Sequence, residues 1–240
     1  MSVSAETSVD HKRPKYPIGV PAKFSADGVV QRFPGNTTVC HIAPDSVLQA
    51  GLYKVHATLG AHPILSRRIH LLPPSSWHMT VLDGVREAER EPGMWPADMA
   101  KQSLAECTAE FAPRLRRLGL ALESEGLAPP YRMRVLGFDR AVVGIGLEVE
   151  GATPEEDRRM WRLRDRLADT LGFRAPNHET YRFHVSMAYL LRHIDGAERD
   201  ELDRVFAQML PEVQVDFELG AVEFCSFDNM YAFPRLLSLC

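Results

Sequence analysis

Two short stretches restrict this chain more than anything else in it. WHMTV, Trp77 to Val81, sets a histidine two places before a threonine between apolar neighbours. FHVSM, Phe183 to Met187, repeats the order with serine. Alternation of apolar and polar residues marks a half-buried strand, and residues two apart on a strand share a face. His78 and Thr80 therefore point one way, and Met79 and Val81 the other. His184 and Ser186 are set against Val185 and Met187 in the same manner. Each strand is expected to bury an apolar row and to present an imidazole beside a hydroxyl.

Composition alone gives the pattern His, apolar, Ser/Thr, apolar roughly 0.2 times by accident among the nine histidines. HATL, His56 to Leu59, also fits, but it falls in a segment with Leu48, Leu52, Val55 and Leu59 at helical spacing. Residues two apart on a helix project about 200° apart, so His56 and Thr58 share no surface. HETY, His178 to Tyr181, follows a turn-like Asn177, and Glu179 breaks its apolar row. The two strand tetrads remain.

The other elements follow from periodicity and punctuation. Val20 to Ile42 reads as short strands with turns at Asp27-Gly28 and Pro34-Gly35. Ser46 to about Gly60 is an amphipathic helix, and IHLLPPSSWHMTVLDG gives two strand pieces around a Pro-Pro turn. Val85 to Pro92 reads as a charged loop. Pro96 to Ala112 is expected to be helical, interrupted by Pro113, with a second helical piece to Glu125. Tyr131 to Leu136 and Ala141 to Glu150 are strands. The GIG in the second lacks the third glycine and following helix of a dinucleotide fingerprint. Thr153 to Leu171 is a helix with Thr153 as N-cap, Glu156 as its capping-box partner and Gly172 as its stop. After the RFHVSMAYLL strand, Asp195 is expected to cap a further helix, and the chain ends in strands. Strands and helices mix without regular βαβ alternation, which favours an α+β fold with largely antiparallel sheets.

The chain has 240 residues, 45% hydrophobic and 25% charged, with a formal net charge of -4. That balance argues against a long nucleic-acid partner held by its backbone. Cys40, Cys107, Cys225 and Cys240 form no C-x-x-C pair, which reads as reduced thiols in a cytoplasmic protein. There is no secretory h-region and no run of about 18 apolar residues, so no membrane association is expected. Residues 1–15 read as a polar disordered tail ahead of a single domain spanning 16–240.

On LPPSSWHMTV and FHVSMAYL the chain resembles the 2H phosphoesterase superfamily, named for two H-x-[ST]-x motifs. The resemblance implies a bilobal α+β fold: two pseudo-symmetric antiparallel sheets, backed by helices, around a central cleft. The helices near 85–130 would be an insertion. It also implies a metal-independent cyclic phosphodiesterase, with no cofactor, acting on a small nucleotide or short RNA end with a 2′,3′-type cyclic phosphate. No obligate protein partner is evident.

The chemistry suits these residues. Opening a cyclic diester needs a base for water and an acid for the departing alkoxide, and imidazole serves either near neutral pH. His78 and His184 are the candidate acid/base pair, with Thr80 and Ser186 as donors to the non-bridging oxygens. Neither H-x-H nor H-E-x-x-H occurs, so no metal site is expected. Substrate-binding candidates are Arg182, on the His184 face, and Tyr189 and Trp77, which flank the tetrads at odd spacing. Tyr189 reaches the cleft only if a bulge intervenes, and core packing competes for Trp77. Asn36 and Thr38, in the FPGNTT turn, complete the set. Alternatives are an RNA 2′-5′ ligase-like enzyme, a nucleotide- or RNA-binding module without efficient catalysis, and a two-histidine metal site.

Overall fold

A computed structural model describes residues 13–239. Most of the polar tail and Cys240 lie outside these residues. Among the described residues, nine strands form one sheet in which every pairing is antiparallel: β1 Gly35–His41, β2 Ile69–Leu71, β3 His78–Arg86, β4 Tyr131–Phe138, β5 Gly144–Gly151, β6 His184–Leu190, β7 Asp216–Leu219, β8 Glu223–Phe227 and β9 Arg235–Ser238. Four helices accompany them: α1 Val47–Ala61, α2 Leu104–Ala121, α3 Pro154–Leu171 and α4 Ala197–Val213. The strand order is β7-β4-β5-β6-β3-β1-β8-β9, with β2 also on β6.

The sheet divides at its middle. β1, β3, β8 and β9 form one half, and β2, β4, β5, β6 and β7 the other. The two halves are joined through β3 and β6 by a single partner pair, Met79 with Val185. Helix α2 packs on β1, β8 and β9, α3 on β3, β4 and β5, and α1 with α4 on the β4–β7 edge. This is the α+β architecture expected, with the two halves meeting at the tetrads. Among the described residues, no helix is long and apolar enough to cross a membrane.

Local chemistry explains most boundaries. Thr153 and Gly172 cap α3 as expected, with Gly172 left-handed at φ 82°. Helix α2 differs from the sequence expectation. It starts at Leu104 and runs unbroken through Pro113. Ser103 and Glu106 form a capping box that sets the start, and the buried face of Cys107, Phe111, Leu115 and Leu118 holds the helix together across the proline. Asp195 does not cap α4. Gly196 takes the N-cap position, and Asp195 pairs with Arg13 instead.

A second, smaller core lies over one end of the sheet. Val20, Phe24 and Phe33 of the N-terminal segment pack there against Leu72, Leu191, Phe227 and Met230. Of the short strands expected over Val20 to Ile42, only β1 forms; ahead of it the segment folds as turns with one isolated bridge, Phe24 to Val30.

The close approach of β1 to β3 depends on Gly84. A Cβ there would lie 2.0 Å from Asn36 Oδ1 and 2.3 Å from the Asn36 carbonyl oxygen, and the latter is backbone that cannot swing away. Gly84→Ala should therefore destabilise by about 2 kcal/mol, a fall in Tm of about 6 °C for a chain of this size. An unchanged melting curve would contradict this packing.

Candidate functional site

The Met79–Val185 pair sets the geometry of the site. In an antiparallel ladder, one step to either side places His78 beside Ser186 and Thr80 beside His184. An imidazole from each strand thus meets a hydroxyl from the other, twice, about a local twofold axis. All four residues line one cavity of about 250 Å³. The structure brings the two tetrads together as their pattern required.

Both imidazoles are held in the same way. His78 Nδ1 lies 2.7 Å from the Ser76 carbonyl oxygen, and His184 Nδ1 lies 2.9 Å from that of Arg182. A carbonyl oxygen only accepts, so Nδ1 carries the proton and donates in each ring. Nε2 is left as the nitrogen available to a ligand. The environments differ, however. His78 packs edge-on to Phe233 at 4.2 Å between ring centroids, with His41 at 5.9 Å. Burial pushes its pKa down to about 4, and the neighbouring His41 and His184 press the same way against the Ser76 carbonyl and Asp83.

Each tetrad strand then carries a bulge. Thr38 pairs with Leu82 and Val39 with Thr80, so Val81 is an extra residue in β3. Ile145 pairs with Ala188 and Gly146 with Ser186, so Met187 is extra in β6. Two consecutive residues are buried at each place, Val81-Leu82 and Met187-Ala188. The bulge inverts the alternation beyond it. The residue five places after each histidine, Asp83 in β3 and Tyr189 in β6, is thereby turned into the cavity wall. A further register shift between Gly35 and Thr37 brings Arg86 to the same wall.

A buried arginine supports the first bulge. Arg164 of α3 donates from Nη1 to the Val81 carbonyl oxygen at 2.6 Å, and its guanidinium stacks 3.7 Å from the Tyr181 ring centroid. The Tyr181 hydroxyl donates to the Thr80 carbonyl oxygen at 3.3 Å. Arg86 donates to Asp83 at 2.9 Å and also to Glu89. Burial alone would raise the Asp83 pKa, but Arg86 and Arg164 outweigh it and hold the carboxyl below its usual range.

The remaining candidates separate clearly. Asn36 lines the cavity, but its side chain donates to Thr108 Oγ1 at 2.8 Å and accepts from the Val85 amide at 3.0 Å. Thr38 does not line it. Its hydroxyl is buried in bonds with Leu82, and its neighbour Thr37 is in the wall. Trp77 is also a correction: it is 1% exposed and sits in the core against Tyr53 and His56 of α1, on the face opposite His78. Arg182 stands exposed beside His184 with Glu148 at 3.5 Å. His178, from the rejected HETY stretch, is buried and bonded to Asp165 at 2.9 Å.

Sequence reasoning missed Asp83, Arg86, Tyr181 and Lys23. The doubled apolar pair in TVLDG was a readable sign of the first bulge. Lys23 had no local sign. It arrives with the N-terminal segment, where its Nζ donates to the Tyr189 hydroxyl at 3.0 Å. The structure also gathers His41, Glu223 and Cys225 with ligand atoms within 4.8 Å of one another, a set able to hold a metal ion. In the structure Glu223 is bonded to His41 at 2.8 Å and to Arg235 at 3.2 Å, so its charge is already balanced.

The family model described as "2H-phosphodiest: Domain of unknown function (DUF1868)" matches residues 23–142, half of the chain, including the first tetrad. The crystal structure of the conserved protein ATU0111 from Agrobacterium tumefaciens, whose function its description gives as unknown, is 27% identical with a TM-score of 0.83, covering 95% of this chain and 94% of its own. TT0787 of Thermus thermophilus is 14% identical with a TM-score of 0.47, over 87% of this chain and 96% of its own. Usb1 of Kluyveromyces marxianus is 13% identical with a TM-score of 0.45, over 85% and 97%. No curated protein matches.

The His78 environment has a consequence for stability. Its pKa is near 6.5 when the ring is exposed and about 4 in the fold, so protons bind the unfolded chain more readily. The stabilisation of the native state is intact above about pH 6.5 and is lost as pH falls toward 4. Thermal melts taken from about pH 7 down to about pH 4.5 should decline more steeply for wild type than for His78→Gln. Parallel curves would contradict the enclosed imidazole.

Proposed function

Because this chain belongs to the 2H-phosphodiest family, we propose that it is a metal-independent phosphodiesterase that opens a 2′,3′-type cyclic phosphodiester of a nucleotide or RNA end by two-histidine acid/base catalysis. The observation that carries this reading is the cross-strand arrangement of two imidazoles and two hydroxyls on one cavity.

His78 and His184 take different roles. A ring with its pKa near 4 is neutral at physiological pH and suits the base. His78 Nε2 removes a proton from water as the oxygen attacks phosphorus. The bond from phosphorus to the departing ribose oxygen breaks, and His184 Nε2–H protonates that oxygen. The product is a phosphomonoester. Thr80 and Ser186 donate to the non-bridging oxygens, where negative charge is stabilised in the transition state. Fixed Nδ1 bonds keep both Nε2 atoms oriented without a reorganisation step. Phe33, Phe227, Phe233 and Tyr181 give the cavity an aromatic wall on which a base stacks. The finer assignment to cyclic nucleotides rests on this fit and on the family.

Assayed on 2′,3′-cyclic nucleotides with EDTA present, wild type should turn over. His78→Ala and His184→Ala should each lose at least about 10³-fold in kcat, with Tm close to wild type. Near wild-type turnover by either folded variant would remove the mechanism, and activity confined to metal-containing buffer would favour a metal centre instead.

A further inference from the structure

Arg164 of α3 is 1% exposed, and the proposed chemistry makes no use of it. Among the described residues no carboxylate is hydrogen-bonded to it, and its buried Nε has no partner. Asp83, Asp165 and Glu179 act on its charge only through space. A guanidinium taken from water without a bonded counterion is an expensive thing to hold in a core, so its contacts are informative.

Those contacts lead to the phosphate site. The guanidinium lies on the face of Tyr181, which stands just ahead of β6, and the Tyr181 ring is tilted against His184 at 5.9 Å between centroids. The Tyr181 hydroxyl and Arg164 Nη1 then reach across to the other half of the sheet. They donate to the Thr80 and Val81 carbonyl oxygens, which follow one another at the β3 bulge. The second bulge is held differently. Its Met187 carbonyl oxygen accepts from the Leu72 amide at 2.8 Å, backbone to backbone. Only the first tetrad therefore depends on side chains for its irregular turn.

Thr80 sits between two restraints. Ahead of it, Met79 pairs with Cys40 and Val185 in the sheet. Behind it, the Tyr181 hydroxyl and Arg164 hold the carbonyls. The direction of a side chain follows the backbone angles of its residue, so both restraints are needed to aim the Thr80 hydroxyl. The Met79–Val185 pair brings Thr80 beside His184, and Tyr181 touches both.

We infer that Arg164 and Tyr181 are positioning residues: stacked on one another, they brace the first bulge and hold the Thr80 hydroxyl in register with His184 for an anionic phosphorus centre. The inference rests on the two-histidine phosphodiesterase reading and extends it to two residues of the supporting shell. Neither supplies a proton to the reaction.

Inorganic vanadate tests the brace without turnover. Tyr181→Phe keeps the ring that lines the cavity and removes only the hydroxyl. By calorimetry, Thr80→Val should weaken vanadate binding about tenfold and Tyr181→Phe about fivefold. The double variant should bind within about twofold of Thr80→Val alone, because one hydroxyl is lost by both routes. With Ser186→Ala in place of Thr80→Val, the two losses should multiply. Arg164→Met should behave as Tyr181→Phe does. Arg164→Lys, which keeps the charge and a donor but not the planar stack, should fall between Arg164→Met and wild type. On a 2′,3′-cyclic nucleotide, kcat should fall in the same pattern with KM within about twofold of wild type. Wild-type affinity in Tyr181→Phe, or losses that multiply with Thr80→Val as they do with Ser186→Ala, would overturn the brace. Failure of the hydrolysis reading shows differently, as vanadate binding that follows the cycle in a protein that turns over no cyclic nucleotide.

Discussion

One ladder contact joins the two halves of the sheet. Among the described residues, Met79 and Val185 are the one ladder pair between β3 and β6, and through them the two halves of the sheet become one. Their side chains face the core, both fully buried. The residues on either side of them must therefore face the cleft. The antiparallel direction of the strands then exchanges partners, imidazole against hydroxyl, without any further device. A one-residue slip of either strand would turn its histidine into the core and part it from the other. Burial of the apolar row fixes the register, and the register fixes the chemistry.

The cleft is also shaped by two irregularities placed alike. Val81 and Met187 each interrupt the alternation one residue beyond the tetrad hydroxyl. On one side the inversion delivers Asp83, whose charge is tied to Arg86. On the other it delivers Tyr189, tied to Lys23. The symmetry of the backbone is thus filled with unlike side chains. The two imidazoles differ as well, His78 enclosed by Phe233 and His41, and His184 lining both the cavity and a second depression beside it. A pseudo-symmetric frame with unlike walls is what an asymmetric proton transfer needs.

Much of this was legible in the sequence. Period-2 alternation carries strand and face together, so His78, Thr80, His184 and Ser186 could be placed on one surface before any fold was known. Helical geometry removed His56 by the same logic, and α1 and α3 followed from their stripes and caps. What was not legible depends on long-range packing. Trp77 caught the eye beside His78, yet parity sent it under the sheet against α1. FPGNTT reads as a turn, but Thr38 lies inside β1 and spends its hydroxyl on Leu82. Lys23 reaches the cleft across more than 160 residues of sequence from Tyr189, and no local pattern encodes that approach. Helix α2 passed through Pro113 because its buried face outweighs one missing backbone donor.

The central claim is that two imidazoles from the two halves of the sheet grip one phosphorus. Its most direct test is a crystal structure with vanadate, which adopts the five-coordinate geometry of the attacked phosphorus. One vanadate is expected in the cleft, with His78 Nε2 and His184 Nε2 each within about 3.2 Å of an apical oxygen and the Thr80 and Ser186 hydroxyls on equatorial oxygens. Vanadate held by one histidine alone, or bound at His41, Glu223 and Cys225 instead, would contradict it.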